Sequence, residues 1–278
     1  MEPFVFRGAV VALTGAASGI GRAVALNLAA EGCTLALADR DAAGLERTAL
    51  EARELGVEVS ATVLDVAARA EVDAWAEACA RRHGGLSLLI CNAGVALGGT
   101  IEQVSVEDIA WLMGVNFWGM VHCVKAFLPA LKPQPGAHVV VLSSVYGLVA
   151  PAGHAAYAAS KFAVRGFAEA LRHELAEARV GVSIVHPGGV DTAIARNARV
   201  GTGADASQRE DEVRRFSATA RTSPEEAAEV ILWGIRHREP RILIGRDARQ
   251  LDRLQRLMPV KYWGVIARHY ARPGASRS

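Results

Sequence analysis

A strand, a glycine-rich turn, a helix and a second strand that ends in an acid follow one another near the start of the chain. The run at residues 10–13 (VVAL) is continuously apolar, which is typical of a strand buried on both faces. Residues 14–21 (TGAASGIG) form the turn, residues 22–30 have helical periodicity, and the strand at 35–38 ends at Asp39. This order predicts a β–α–β unit with a tight glycine turn.

The turn and the acid together favour dinucleotide binding. Glycines let the backbone approach a pyrophosphate, and the free N–H groups at a helix start carry partial positive charge. Asp39 lies about 20 residues beyond the glycines, where a carboxylate can accept both ribose hydroxyls of an adenosine. A turn that is tight only for packing would look similar, but the position of the acid favours a nucleotide. The predicted cofactor contacts here are Gly15, Ser18, Gly19, Ile20, Gly21, Asp39 and Arg40.

The same residues indicate which nucleotide binds. The carboxylate of Asp39 would repel a 2′-phosphate, and Ser18 offers no cation inside the turn. Arg40 is a complication, because a cation next to Asp39 could tolerate that phosphate. We therefore expect NAD, in preference to NADP, as the cofactor.

The alternation of apolar runs and helical patterns continues along the chain. Further strands are predicted at residues 58–64, 86–91, 139–142, 182–185 and 241–244. Further helices are predicted at residues 42–55, 69–82, 106–131, 157–178 and 224–237. Six β–α units in succession predict an α/β fold, a Rossmann-type doubly wound parallel sheet of about seven strands with helices on both faces. We expect a single domain at residues 1–245, with a basic C-terminal helical extension at 246–278.

Polar and glycine-rich features follow the predicted strands, so they would meet at the carboxyl edge of the sheet, where ligands bind in such folds. Within a helical pattern just after one strand, Tyr157 and Lys161 lie four residues apart on one face. A free tyrosine has a pKa of about 10, and a cation within about 4–6 Å lowers it. The hydroxyl of Ser144 could then hold a carbonyl or alcohol oxygen against the phenol. A Tyr–Lys pair at this spacing also occurs by chance on surface helices, but its position at this edge favours proton transfer.

In these features the sequence resembles the classical short-chain dehydrogenase/reductase family over roughly residues 8–192. The matching residues, in the family's order, are 14–21 (TGAASGIG), Asp65, 92–94 (NAG), Asn116, Ser144, 157–161 (YAASK) and 187–188 (PG). The resemblance implies an NAD(H)-dependent oxidoreductase that interconverts a secondary alcohol and a ketone or aldehyde. A non-catalytic nucleotide sensor or scaffold on the same fold is the alternative. A methyltransferase would also use the strand, turn, helix and acid, but it would not require the Tyr–Lys pair.

The resemblance also implies a role for each matching position. Tyr157 would be the general acid or base, Lys161 would lower its pKa and bind the nicotinamide ribose, and Ser144 would orient the substrate oxygen. Asn116 would bend its helix locally and position a water that leads protons to Lys161. The remaining implied cofactor contacts are Asp65 and Val66 at the adenine, Asn92, Ala93 and Gly94 along the cofactor, and Pro187, Gly188, Val190 and Thr192 at the nicotinamide.

The substrate side is less clearly marked. Residues 193–222 mix glycine, charge and small polar residues, which suits a lid over the substrate. A mostly apolar pocket would favour a lipophilic alcohol or ketone; its candidate residues are Val95, Leu97, Val145, Leu148, Val149 and Val190. His154 lies three residues before Tyr157 and could reach the same pocket, although such residues more often only pack in a loop.

The tail is basic and amphipathic. Leu251, Leu254 and Leu257 form an apolar stripe, opposite a stripe of arginines at positions 249, 253 and 256. Pro259 is expected to break this helix before an aromatic, apolar segment at residues 260–266. We expect the stripe to pack on the body or on a second subunit; contact with an anionic membrane surface is the other interpretation.

Composition narrows the function class and the setting. A net charge of +2 argues against a dedicated nucleic-acid binder, and 51% hydrophobic residues are ordinary for a soluble protein. The first residues lack the pattern of a signal peptide, and no apolar run of about 18 residues occurs. The four cysteines have no C-x-x-C spacing, and the histidines form no metal motif, so we expect a cytoplasmic protein without a metal. The family resemblance implies a homodimer or homotetramer built from the helices near 106–131 and 157–178.

Overall fold

The alternation seen in the sequence becomes a sheet of seven parallel strands in the order β3-β2-β1-β4-β6-β7-β9. The structure, a computed structural model, describes residues 2–192, 194, 197–201 and 221–270. The strands of this sheet are β1 Val10–Thr14, β2 Thr34–Asp39, β3 Val59–Val63, β4 Leu88–Cys91, β6 His138–Leu142, β7 Gly181–Pro187 and β9 Arg241–Ile244. The predicted Rossmann-type parallel sheet is therefore confirmed.

Helices cover both faces of the sheet. The helices are α1 Gly19–Ala30, α2 Ala42–Glu54, α3 Arg69–His83, α4 Val106–Met113, α5 Gly119–Leu131, α6 Ala155–Glu174, α7 Pro224–Arg236, α8 Arg246–Leu257 and α9 Tyr262–Tyr270. One apolar layer joins the sheet to α1, α2 and α7, and it includes Leu28, Leu45 and Ile231. The other layer joins it to α3, α5 and α6, where the rings of Trp75 and Phe127 meet edge to face at 4.8 Å. The central strands are thus buried on both faces, as their continuous apolar runs predict.

The order of the strands creates a crevice at the edge of the sheet. From β1, the chain first builds outward through β2 and β3, and it then crosses to β4 and builds outward on the other side. The connections that leave β1 and β4 diverge to opposite faces of the sheet. Ligands of doubly wound sheets bind at this switch point, beyond the carboxyl ends of the strands.

The structure differs from the prediction between residues 106 and 131, where we expected one helix. A five-residue π-helical turn, Gly114–Trp118, separates α4 from α5, and it carries Asn116. Periodicity could not reveal this turn, because residues 109–124 are apolar at nearly every position, so a shift of one residue in the pattern leaves no visible break. Two short strands, β5 Leu97–Gly98 and β8 Arg199–Val200, pair in parallel and were also not predicted. A two-residue strand is too short to show an alternating pattern.

The described part of the basic extension, residues 246–270, forms two helices, but the leucines of its predicted apolar stripe do not all pack on the body. Ala248, Leu251 and Tyr262 pack against Val145 and Val149 of the body. Leu257, the last residue of the predicted stripe, is 82% exposed. Most of the predicted lid at residues 193–222 lies outside the described residues.

Candidate active site

The loops that follow β1 and β4 are tied together at the crevice. The side-chain amide of Asn92 donates to the carbonyl oxygens of Thr14 and Gly15, at 3.0 and 2.9 Å. The hydroxyl of Thr14 accepts the N–H groups of Asn92 and Ala93, both at 3.1 Å. Four hydrogen bonds therefore hold the glycine turn against the segment at residues 92–94, both of which the sequence assigned to the cofactor.

The glycine turn has the shape that a pyrophosphate requires. Gly15 and Gly19 have φ values of +70° and +52°, a region that favours glycine. A side chain at Gly21 would overlap the carbonyl oxygen of Gly15. Ser18 precedes α1, but its side chain does not cap the helix, so the first backbone N–H groups keep no side-chain partner. Such a helix start suits an anionic group.

Asp39 lies beside this turn, at the end of β2. Its two carboxylate oxygens accept the N–H groups of Ala17 and Asp41, at 2.9 and 3.0 Å. Each carboxylate oxygen can accept more than one hydrogen bond, so Asp39 can brace the turn and still bind hydroxyl groups. Arg40 is exposed at the next position. These residues fit a dinucleotide with free ribose hydroxyls.

The predicted adenine-side pair lies after β3. Asp65 is exposed, and its carboxylate accepts the N–H group of Ala67 at 2.9 Å, as in a local turn. Val66 is buried, and its carbonyl oxygen lies 3.0 Å from Nδ1 of His122. A side chain on Gly119 would collide with Val66, at 2.6 Å, so this glycine lets α5 approach the loop.

Ser144, Tyr157 and Lys161 come together between β6 and α6. The Ser144 hydroxyl accepts the N–H group of Tyr146 at 3.1 Å, and it also acts on the Tyr157 side chain, whose pKa it lowers. The Lys161 ammonium lies 5.7 Å from the centre of the Tyr157 ring and donates to the carbonyl oxygen of Leu142 at 3.1 Å. These three side chains can bind and protonate an oxygen atom at one point.

The electrostatics of this group differ from the prediction that Lys161 lowers the pKa of Tyr157. Burial raises the pKa of Tyr157 to about 12, and the hydrogen bond with Ser144 only partly opposes that effect. Burial also lowers the pKa of Lys161 to about 8. The protein alone therefore keeps the phenol neutral, and it holds the neighbouring ammonium close to its point of deprotonation at physiological pH.

Asn116 connects the group formed by Ser144, Tyr157 and Lys161 to the loop that follows β4. Its side chain accepts the N–H group of Val95 at 2.8 Å and donates to the Val95 carbonyl oxygen and to the Ser160 hydroxyl, both at 3.0 Å. The Ser160 hydroxyl in turn donates to the carbonyl oxygen of Tyr157, at 2.8 Å. A Cβ atom on Gly94 would lie 3.3 Å from Oδ1 of Asn116 and 3.4 Å from Nζ of Lys161. The π-helical turn therefore places Asn116 where the cofactor loop and α6 meet.

The predicted nicotinamide-side residues follow β7. The N–H group of Gly188, after Pro187, donates to the carbonyl oxygen of Ile244 at 2.9 Å. Val190 is buried and pairs with Thr222, across the part of the chain that is not described. A Cβ atom on Gly19 would lie 3.1 Å from the methyl carbon of Thr192. This loop therefore reaches back to the glycine turn and closes the crevice from the other side.

The predicted substrate residues fall into two groups. Val95 belongs to an apolar cluster that also contains Leu97 and Tyr157. His154 lies 5.1 Å from the ring of Tyr146, which itself lies 6.0 Å from the ring of Tyr157. Val145 and the other apolar candidates at positions 148, 149 and 190 are buried. Val95 thus packs in the same cluster as Tyr157, His154 is linked to Tyr157 through the ring of Tyr146, and Val145 packs towards the extension.

Three residues near the site were not predicted. Tyr146 follows Ser144 by two positions and adds a second aromatic ring. His186 lies behind Ser144, with Nδ1 at 2.9 Å from the Ser144 carbonyl oxygen, and burial lowers its pKa to about 4. Asp247, in the extension, accepts the N–H group of Gly189 at 2.8 Å. Only the nearness of Tyr146 and His186 to matching motifs could have drawn attention to them; Asp247 had no such signal.

Comparisons with known proteins agree with this geometry. The short chain dehydrogenase family profile matches residues 9–202. A Mycobacterium tuberculosis protein, SadH, whose name describes it as an oxidoreductase, is 43% identical over 264 residues, which are 94% of this chain and 95% of that protein. A dehydrogenase/reductase SDR family protein 7-like of Drosophila melanogaster is 32% identical and covers 94% of this chain and 80% of its own length.

Two solved structures are similar in both fold and sequence. A short chain dehydrogenase/reductase from Burkholderia phymatum in complex with NAD has a TM-score of 0.83 and 35% identity, covering 91% of this chain and 95% of that one. An alcohol dehydrogenase from Thermococcus sibiricus complexed with 5-hydroxy-NADP has a TM-score of 0.74 and 27% identity, covering 86% and 96%. The chain described here belongs to the short-chain dehydrogenase family of oxidoreductases.

Proposed function

We propose that the protein is an NAD(H)-dependent oxidoreductase that interconverts a lipophilic secondary alcohol and the corresponding ketone or aldehyde. The observation that carries this proposal is the convergence of three groups: the Ser144 hydroxyl, which lowers the pKa of the Tyr157 phenol, that phenol itself, and the buried Lys161 ammonium 5.7 Å from the centre of its ring. A positioned acid–base group of this kind contributes roughly 10²–10⁴-fold to a reaction rate. A bound nicotinamide cofactor would supply or accept the hydride.

The protonation states suit reduction directly, whereas oxidation needs positive charge beside the phenol to offset its burial. The pKa of about 12 keeps the Tyr157 phenol protonated, so it can donate a proton to a carbonyl oxygen during reduction. The Ser144 hydroxyl already accepts the N–H group of Tyr146, which leaves its own proton to bind the substrate oxygen. In oxidation, Tyr157 must take up the proton of the alcohol, and a positive Lys161 beside it favours the phenolate that performs this step.

The cofactor would lie along the tied loops. The glycine turn would bind the pyrophosphate, Asp39 the adenosine ribose, and Asp65 with Val66 the adenine. Residues 92–94 and Lys161 would bind the middle of the cofactor, and the residues from Pro187 to Thr192 its nicotinamide end. We propose NAD over NADP because the carboxylate of Asp39 stands at the glycine turn, whereas Arg40 is exposed and turned to solvent.

The substrate would contact apolar and aromatic surface. Val95, Leu97 and Tyr157 share one cluster, the ring of Tyr146 lies 6.0 Å from that of Tyr157, and the ring of His154 lies 5.1 Å from that of Tyr146. We infer from this lining that the substrate is lipophilic near its reacting carbon, and that His154 and the proposed lid at residues 193–222 contribute to the pocket.

The extension supports the nicotinamide end of the site. Asp247 binds the N–H group of Gly189, and a side chain at Gly188 would overlap the Asp247 carboxylate. The Tyr262 hydroxyl accepts the N–H group of Ala150, in the loop after Ser144, at 3.1 Å. We therefore propose that residues 246–278, although they follow the catalytic domain at 1–245, position two of its loops.

We also propose a homodimer or homotetramer and a cytoplasmic location. Trp118 and Phe162 are exposed, at 52% and 38%, on the adjoining surfaces near α5 and α6, which suits burial in a second copy. The four cysteines are free and buried, and burial raises the pKa of Cys33 to about 12 and of Cys79 to about 11. Unpaired, unreactive thiols suit a reducing compartment.

Replacement of Tyr157 by Phe tests the proposed chemistry. We expect Tyr157→Phe to lower kcat by at least about 100-fold, because among the described residues the phenol is the acid–base group that we place at the substrate oxygen. Turnover would be followed at the nicotinamide absorbance against a panel of aliphatic and aromatic secondary alcohols and ketones. Cofactor affinity, measured by calorimetry, should change little. Near-normal turnover in this variant would exclude Tyr157 as the acid–base group.

Cofactor choice gives a second prediction. We expect kcat/KM to be higher with NAD than with NADP, and we expect Asp39→Ala to narrow the difference because it removes the repulsion of the 2′-phosphate. Steady-state kinetics with both cofactors measure this. A wild-type preference for NADP would show that Arg40 outweighs Asp39.

The buried ammonium predicts how stability depends on pH. The pKa of Lys161 is about 8 in the folded protein but about 10.4 in an unfolded chain, so the unfolded chain binds the proton more tightly. The resulting destabilisation is fully present below pH 8, and it decreases as the pH rises towards 10.4. Without added cofactor, we expect Lys161→Met to exceed the wild type in free energy of unfolding at pH 7, by up to about 3 kcal/mol.

Urea unfolding of both proteins at pH 7 and pH 9.5 measures this difference. The lost hydrogen bond to the Leu142 carbonyl reduces the gain at both pH values, so the informative quantity is the change with pH. The advantage of Lys161→Met should become smaller at the higher pH. An advantage that stays constant would mean that Lys161 does not titrate in this range.

Asp247 provides a prediction for the extension. We expect Asp247→Ala to raise the KM for the cofactor about fivefold or more, because the N–H group of Gly189 loses its acceptor and the loop loses its support. Asp247→Asn keeps an oxygen at the same place and should stay close to the wild type. If both variants bind the cofactor normally, the extension does not position the nicotinamide loop.

A further inference from the structure

The outer face of α8 is uniformly cationic. Arg246, Arg249, Arg253 and Arg256 are all exposed. The two acids of the helix point inward: Asp247 binds the N–H group of Gly189, and Asp252 is buried and pairs with Arg241 at 2.8 Å. Arg256 also reaches Asp252, at 3.1 Å, but the Arg256 side chain remains 59% exposed. The helix thus presents four positive charges to solvent, without an exposed carboxylate of its own.

An exposed apolar turn ends this cationic face. Leu257 and Val260 are 82% and 89% exposed, and Met258 between them is 38% exposed. Leu257 lies one helical turn after Arg253 and therefore on the same side of α8. Lys261 is exposed directly after Val260. For large apolar side chains that are exposed to solvent, transfer out of water is energetically favourable.

Folded structure holds this surface in place. The inner side of α8 and α9 packs on the body through Ala248, Leu251 and Tyr262, and the Tyr262 hydroxyl is hydrogen-bonded to Ala150. The apolar turn is therefore presented by two anchored helices. The inner apolar positions of these helices pack on the body. The outer face carries the arginines and the exposed turn at residues 257–261, whose apolar residues we call the apolar tip.

We propose that the arginine face of α8 and the turn at residues 257–261 form a docking surface for bilayers that contain anionic phospholipids. Arginines and lysines at the level of the headgroups are attracted to anionic lipid, and apolar side chains beside them enter the boundary with the acyl chains. The apolar tip favours a bilayer over a nucleic acid, which would match the charges but offers no apolar phase to Leu257 and Val260. Among the described residues, no helix is both long and apolar enough to cross a bilayer, so the contact would be peripheral.

Sedimentation with sucrose-loaded vesicles tests this proposal. The full chain would be mixed with vesicles of phosphatidylcholine alone, or of phosphatidylcholine and phosphatidylglycerol in equal parts, at low and high salt. We expect at least about tenfold stronger partitioning to the anionic vesicles, weakened by salt. Leu257→Ser/Val260→Ser and Arg249→Glu/Arg253→Glu should each reduce that partitioning about tenfold or more.

A matched control separates the tip from general surface hydrophobicity. Val5 and Val106 are 73% and 76% exposed on other parts of the molecule, so Val5→Ser/Val106→Ser removes similar apolar area away from α8. This control should bind anionic vesicles like the wild type. Circular dichroism and thermal unfolding would verify that all variants fold.

Three results would overturn the proposal. The first is the absence of binding to anionic vesicles, or equal binding to neutral ones. The second is self-association that sedimentation equilibrium detects in the wild type and not in Leu257→Ser/Val260→Ser, without vesicle binding, because the tip would then be an interface between copies. The third is binding of double-stranded DNA that survives the serine substitutions, in the absence of vesicle binding, which would assign the arginine face to nucleic acid.

Discussion

The hydrogen bonds between the ends of β1 and β4 are the interaction on which the rest of the site depends. The side chain of Thr14 binds the loop after β4, and the side chain of Asn92 binds the loop after β1, so four hydrogen bonds hold the two loops together. These two strands are neighbours in the sheet, and the chain leaves them toward opposite faces. A crevice at that point is unavoidable, and this contact fixes its width. The helix start at Gly19 and the segment near Gly94 are thereby held on its two sides.

The burial of the Lys161 ammonium lowers the stability of the fold. Burial without a carboxylate partner among the residues that the structure describes disfavours the ammonium, which explains its lowered pKa, and the Leu142 carbonyl offers only partial compensation. Asn116 and Gly94 surround the same point with polar and small groups instead of apolar packing. A core optimised only for stability would not keep this arrangement. Such a local conflict is expected where a protein carries out chemistry.

Features that follow from the order of motifs along the chain could be predicted from the sequence, whereas features that follow from three-dimensional packing could not. The order of strands, turns and acids was enough to predict the sheet and to place Asp39 and Ser144 at one edge. The apolar periodicity did not reveal the π-helical turn, although the family resemblance implied a local bend of the helix at Asn116, which lies in that turn. The raised pKa of Tyr157 follows from burial, which no motif encodes. Asp247 meets Gly189 across 58 residues, a distance over which a local pattern says nothing.

The extension shows why an amphipathic pattern alone does not say which face is buried. The leucine stripe predicted a single apolar face for packing, yet Ala248 belongs to the buried contact and Leu257 does not. The decisive residues are the two acids. Asp247 and Asp252 are tied to the body by a backbone N–H group and by Arg241, and this sets the rotation of α8. Because the two acids face the body, the arginines of α8 face solvent. The same contacts that hold the Gly189 loop therefore also make the outer face of α8 positively charged.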